Sequence, residues 1–204
     1  MENTATSGVL GVILAGGLSR RMGGGDKGLL PLGGKPVLCH VIDRVMPQVD
    51  RLVLNANGDP NRWKRFALPV IGDTVEGYPG PLAGLLAGMD WAAAQALPAG
   101  WILTVPCDSP FLPRDLVARL IEAAGDAPAA VASSGGRLHP VAGLFHRRLR
   151  DGLADFLAGG GRRAGDWAAR TGAHTAVFEE SPVDPFFNVN TPEELAAAER
   201  LGVE

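Results

Sequence analysis

An apolar run over residues 9–14 breaks into the loop Ala15-Gly16-Gly17-Leu18-Ser19-Arg20-Arg21-Met22-Gly23-Gly24-Gly25-Asp26-Lys27. No other stretch constrains the fold as strongly. A short continuous apolar run bounded by glycine reads as a strand buried on both faces, the kind found in parallel sheets covered by helices. The loop's five glycines let backbone come close to a ligand. Successive free N–H groups in such a loop make a concavity for anions. Arg20, Arg21 and Lys27 add forked and point-like cations that match phosphate oxygens. The junction therefore reads as a phosphate cradle at a strand end. It is not a P-loop, because Gly28 follows Lys27 where Ser or Thr is required. Gly23, Gly25 and Gly28 spell Gly-x-Gly-x-x-Gly, but too far beyond the strand for a dinucleotide fingerprint.

Further along the chain, periodicity predicts strands over 52–54, 69–71, 101–105, 129–132, 141–145 and 175–178. Helical patterns begin at Lys35-Pro36, Pro81 and Pro113, and another covers 149–157. Thr191-Pro192-Glu193-Glu194 is a capping box with proline at the first helical position, so a last helix follows. Alternation of this kind predicts a single three-layer α/β/α domain, Rossmann-like, with a mostly parallel sheet. The domain is expected over 9–204, behind a disordered tail over 1–8. Ligands of such sheets gather beyond the carboxyl ends of the strands. Asn55-Ala56-Asn57 follows the second predicted strand, Asp73 the third and Asp108 the fourth, so these polar groups are expected to converge with the glycine loop on one edge.

With 204 residues and 46% hydrophobic content the chain can bury a real core in one domain. The net charge of −3, with charges scattered, argues against a nucleic-acid surface. No apolar stretch approaches the ~20 residues of a membrane span, and the first residues lack the basic region of a signal peptide. The two cysteines, Cys39 and Cys107, form no CxxC pair, so neither a zinc site nor a redox motif follows. The expected setting is the reducing cytoplasm, and Cys107 is expected to behave as a small buried hydrophobe.

The candidate residues each have a plain structural alternative. Asp108 stands at the end of an apolar strand between Pro106 and Pro110. A carboxylate held there suits Mg²⁺, which takes one or two carboxylates plus substrate phosphates, but Asp-Ser-Pro is also a turn former. Residue type alone leaves both open. The position of Lys27 at the end of the glycine loop favours a phosphate contact over the solvated surface fate of most lysines. Asn55 and Asp73 are strand-end residues that would equally serve as turn formers. Asn188 and Asn190 flank Val189, so an extended backbone points both amides to one face. His40 and His139 are expected to be structural, as no Ser or Cys nucleophile constellation accompanies them. The four tryptophans are scattered, which suggests packing rather than base stacking. Arg162 and Arg163 follow Gly159-Gly160-Gly161, either solvated or facing a phosphate of a second substrate.

Leu14-Ala15-Gly16-Gly17, Arg21-Met22-Gly23 and Asp26-Lys27 together resemble the signature loop of sugar-nucleotide-pyrophosphorylase-like nucleotidyltransferases. Asn55-Ala56-Asn57, Gly80-Pro81-Leu82-Ala83-Gly84, Pro106-Cys107-Asp108-Ser109-Pro110 and Phe187-Asn188-Val189-Asn190-Thr191-Pro192 narrow the resemblance to molybdenum cofactor guanylyltransferases. It runs from about Val9 to about Leu201. The resemblance implies a nucleotidyltransferase fold and transfer of GMP from GTP to molybdopterin or Mo-molybdopterin. It implies Mg²⁺ as cofactor, held by Asp108, with Lys27, Asp108 and Arg21 catalytic. Leu14, Ala15, Gly16, Gly17, Lys27, Asn55, Asp73 and Asp108 are then nucleotide-binding, and Gly84, Asn188, Asn190 and Arg163 face the molybdopterin. The implied partners are these two substrates and, transiently, other molybdenum cofactor proteins, with no nucleic acid and no membrane. Two alternatives stand beside this reading: a cytidylyltransferase or sugar-phosphate nucleotidyltransferase of the same fold, and a nucleotide-binding module without turnover.

Overall fold

The computed structural model describes residues 8–15, 27–75, 80–180 and 183–202. Its first strand, β1 (Gly8–Leu14), lies inside the sheet, third of seven strands. Gly8, expected in the tail, is part of this strand. Leu10, Val12 and Leu14 face one side of the sheet; Val9 and Ile13 face the other. Both sides are covered, which is why the strand reads as a continuous apolar run. Leu10 and Ile13 are fully buried, each worth roughly 1.5–3 kcal/mol relative to exposure.

Gly33 and Gly34, both at positive φ, turn the small hairpin of β2 (Pro31–Leu32) and β3 (Lys35–Pro36). There follow α1 (Val37–Val45), β4 (Arg51–Asn55), a 3-10 turn over Pro60–Phe66, β5 (Val70–Ile71), α2 (Pro81–Ala94) and β6 (Ala99–Pro106). The second half contains α3 (Leu116–Ala124), β7 (Ala129–Ser134), β8 (Arg137–His146), α4 (Arg150–Ala158), α5 (Ala164–Arg170), β9 (His174–Phe178) and α6 (Pro192–Leu201).

The main sheet has the order β5-β4-β1-β6-β8-β7-β9. The pairs β5/β4, β4/β1, β1/β6 and β7/β9 are parallel, whereas β8 runs antiparallel to β6 and β7. The sheet is mostly parallel, as expected, with one reversed strand. Helices α1 and α3 pack on one face; α2, α4 and α5 pack on the other, which completes three layers. A third, smaller cluster of Leu32, Val37, Phe111, Val189 and Ala198 joins the hairpin to α6. Among the described residues no helix is long and apolar enough to cross a membrane.

Candidate active site

The carboxyl ends of β1, β4, β5 and β6 open into a cleft of about 480 Å³. It is lined by Leu14 and Ala15, Asn55 and Asn57, Asp73, Pro106–Asp108, Lys27, Asn188 and the start of α2. The polar groups expected at successive strand ends thus meet at one edge. Parallel strands bring this about, because β1, β4 and β6 run side by side in register, Leu14 opposite both Asn55 and Pro106.

One half of the cleft carries charge. Asp108 lies two residues past the end of β6, and its side chain is 12% exposed. Lys27 Nζ lies 3.4 Å from Asp108 Oδ2 and also donates to Asn190 Oδ1. Burial pushes the Asp108 carboxyl above its usual range; Lys27 opposes this, and Glu194 adds a smaller upward push. The lysine thus offsets only part of the cost of an anion at this depth, a setting that favours a further cation. Val189 N–H donates to the Asp108 carbonyl at 2.8 Å, and the Ser109 hydroxyl donates to Asn188 Oδ1. These bonds hold the 183–190 segment against the end of β6. Thr191 caps α6 by accepting from Glu194 N–H at 3.2 Å, while Glu194 reaches back to Asn190 N–H at 2.6 Å. The capping box therefore fixes the residue that accepts from Lys27.

The other half is built from two amides around the Asp73 carboxylate. Asn55 Nδ2 donates to Asp73 Oδ1 at 3.0 Å and to the Ile71 carbonyl at 3.3 Å. Asn57 Nδ2 donates to Asp73 Oδ2 at 2.8 Å, and its Oδ1 accepts from Asp73 N–H at 2.9 Å. Both Asp73 oxygens therefore have a donor and retain acceptor capacity for a ligand. The N-terminus of α2 also borders the cleft. Its N-cap, Gly80, has φ 149°, a value that suits glycine. Gly80 and Pro81 line the cleft, so this helix presents the positive end of its dipole there.

Three expected contacts take a different form. Gly84 is buried in α2, and an added Cβ would lie 2.4 Å from both Asn55 Oδ1 and Leu14 Cδ2. It does not line the cleft; its missing side chain lets α2 close on the two strand ends. Arg163 is exposed at the N-cap of α5, in a separate pocket with Phe156, Asp166 and Arg170. Only the neighbouring Arg162 carbonyl comes near the cleft rim, 4.0 Å from the position of a Cβ on Gly80. Leu14 and Ala15 do line the cleft, but the Leu14 carbonyl already accepts from Cys107 N–H and Ala15 N–H donates to the Asn55 carbonyl. Gly16, Gly17 and Arg21, with most of the glycine loop, lie outside the described residues.

The family model for the MobA-like NTP transferase domain matches residues 11–175. The chain belongs to that family. It is 52% identical over 195 residues to a molybdenum cofactor guanylyltransferase of Rhodopseudomonas palustris (strain BisB5), covering 94% of this chain and 93% of the relative. A molybdenum cofactor guanylyltransferase of Bradyrhizobium sp. (strain ORS 278) is 50% identical over 204 residues, 98% of this chain and 96% of the relative. Among solved structures, molybdopterin-guanine dinucleotide biosynthesis protein A from Archaeoglobus fulgidus superposes with a TM-score of 0.72 at 21% identity, over 95% of this chain and 97% of the other. At that identity the match speaks for the fold alone.

In this MobA-like NTP transferase the cysteine and histidines keep their structural roles. Burial, with help from Asp108, pushes the Cys107 thiol up to about 12, which makes it a poor nucleophile. His40 Nε2 pairs with the Leu32 carbonyl at 2.9 Å. His139 does have a serine beside it, contrary to expectation: its Nε2 is 2.7 Å from Ser134 Oγ. That serine is 1% exposed, too deep to attack a substrate. Residue reasoning gave Asn57 no individual site role and read Trp63 as packing alone. Asn57 was visible as the second amide of Asn55-Ala56-Asn57. Trp63 is a buried core residue, as packing predicts, that also walls the cleft, and among the described residues its indole N–H has no hydrogen-bond partner.

Proposed function

We propose that this MobA-like NTP transferase moves GMP from GTP to molybdopterin, forming molybdopterin guanine dinucleotide and releasing pyrophosphate. The observation that carries this reading is the pairing of a buried, incompletely compensated Asp108 with Lys27, opposite an amide-rich pocket at the same strand ends. The name shared by relatives at about half identity over nearly the whole chain supports the substrate assignment. A phosphate oxygen of the acceptor attacks the α-phosphorus of GTP, and the bond to the bridging oxygen of pyrophosphate breaks. The nucleophile belongs to the substrate, so the protein's work is positioning and charge neutralisation. That agrees with a cleft whose cysteine is held protonated.

Asp108 is the residue that would hold Mg²⁺. One carboxylate fits an ion that shares its shell with phosphates and water, and the raised Asp108 carboxyl has room for a second cation's favourable field. When bound, the ion supplies positive charge against the phosphate oxygens. Lys27 takes up charge on the departing pyrophosphate, and the α2 N-terminus adds its dipole. The remaining acceptor capacity of Asp73 suits the N1 and N2 donors of guanine. Asn188 and Asn190 line the approach of the acceptor. The same reading puts the reaction in the cytoplasm, with hand-over of product to other molybdenum cofactor proteins.

Pyrophosphate release from GTP, measured with and without molybdopterin, tests the transfer. Release dependent on the pterin is expected; release equal in its absence overturns the acceptor assignment. Competition between equal GTP and CTP, read by mass spectrometry of the dinucleotide, tests base choice. An unpaired buried polar group costs about 1–3 kcal/mol, so a preference for GTP of roughly tenfold or more is expected. A majority of cytosine product would leave the transfer standing and remove the guanine assignment.

A further inference from the structure

Outside the cleft, Ser134, His139 and Asp184 form a partly buried polar chain, with Ser134 its buried centre, that the transfer mechanism does not use. The hairpin between β7 and β8 turns at Gly135 and Gly136, at φ 52° and 76°. Pairing then slips between Val131 and Ala132: Val131 faces Gly143, while Ala132 faces His139. Such a bulge re-aims side chains, and Pro140, which has no N–H for a ladder, sits inside it. His139 Nε2 meets Ser134 Oγ at 2.7 Å, and Ser134 Oγ donates to Asp184 Oδ1 at 2.8 Å. A serine hydroxyl has one proton. With that proton on the bond to Asp184, His139 must be the donor to Ser134, which assigns the proton on its ring to Nε2.

Asp184 Oδ1 accepts a second bond, from Phe186 N–H at 2.9 Å. The Phe186 ring stacks on His139, with centroids 4.5 Å apart, and meets Phe178 edge-on at 5.2 Å. The chain of contacts therefore grips the start of the segment that ends at Asn188 and Asn190. The other end of that segment is gripped by Asp108 and Ser109. By contrast, Asn55, Asn57 and Asp73 bond to one another and to Ile71, with no described bond to the 183–190 segment.

We infer that Ser134, His139 and Asp184 are positioning residues that set the placement of Asn188 and Asn190 and thereby govern acceptor binding without governing nucleotide binding. The inference rests on the transfer reading above. It is tested by steady-state kinetics of GMP transfer in the full-length chain, with GTP and molybdopterin varied in turn. Ser134→Ala and Asp184→Ala should each raise KM for molybdopterin about tenfold and leave KM for GTP within about twofold. Asp184→Asn keeps an Oδ1 for both donors and should restore wild-type acceptor KM. His139→Phe keeps the stack on Phe186 without the N–H and should show the same split more weakly, which serves if Ser134→Ala does not fold. A role in stability alone would lower the folded fraction and kcat without separating the two KM values. Equal shifts in both KM values, or an unchanged acceptor KM in Asp184→Ala, would overturn the inference. A wild-type chain that fails to transfer GMP to molybdopterin would instead remove the function on which it rests.

Discussion

On one side of the cleft Asp108 is buried beside Lys27, its carboxyl pushed up by loss of water. On the other, Asp73 is partly exposed, with an asparagine amide on each oxygen. The two aspartates have the same side chain and both follow a strand of one sheet. Depth and neighbours separate them: the first is short of positive charge, the second is held by neutral donors. A carboxylate of the first kind attracts cations, and one of the second kind is shaped for hydrogen bonds. The contrast assigns chemistry to one half of the cleft and recognition to the other.

The largest test of that division is Asp108→Asn. Removing the charge while keeping the shape should lower kcat about a thousandfold across a full Mg²⁺ titration, at the upper end of what a single electrostatic contact contributes. A folded variant with near-normal turnover would show that the charged half is not the chemical half. Lys27→Ala should come next, with kcat/KM down about 100-fold, which is ~2.7 kcal/mol of transition-state stabilisation at 1.36 kcal/mol per decade. Loss confined to KM for GTP would move Lys27 to the recognition side. Asp73→Asn should raise KM for GTP about tenfold, since an amide donor would then face the Asn55 or Asn57 amide. Its kcat should stay within about twofold; a fall in kcat as large as that of Lys27→Ala would erase the division.

The smallest effect concerns stability. Burial raises the folded Asp108 carboxyl above the ordinary value of 3.8, so its contribution is full below that pH and is lost as pH rises through the folded value. At neutral pH the wild type therefore bears the cost of a buried anion, and the asparagine variant does not. Thermal unfolding of Asp108→Asn at pH 7 should give a Tm equal to or about 2–4 °C above wild type, the shift made by ~1 kcal/mol in a chain of this size. The gap should close as pH falls toward 3.8. A clearly lower Tm at pH 7 would mean that attraction to Lys27 outweighs burial.

Much of this arrangement could be read from residue order. Apolar runs ending in Leu14, Leu54, Ile71 and Val105 placed four polar groups on one edge, because parallel strands all end on the same side. What escaped was local or long-range. The Gly33-Gly34 and Gly135-Gly136 turns carry the glycine pairs typical of two-residue hairpins, yet β2 and β3 have two residues each, too few to show alternation. Pro140 hid the first part of β8, since proline argues against a strand interior. The seven residues of α5 follow three glycines and two arginines that read as loop. Gly84 stands in a motif associated with the site, but only packing reveals that its role is to admit Asn55 and Leu14. The contact of His139 with Ser134 depends on a slipped register, which no periodicity announces.

The segment that brings Asn188 and Asn190 to Asp108 follows every strand of the sheet in the chain. A ribosome makes the glycine loop, β6 and Asp108 early and this segment late. The nascent sheet can therefore assemble with its cleft open and its lysine lacking Asn190. Nucleotide could occupy such a cleft before the acceptor side exists. Competence for transfer arrives after the sheet has been made, when one short stretch of chain folds back across an edge that was synthesised before it.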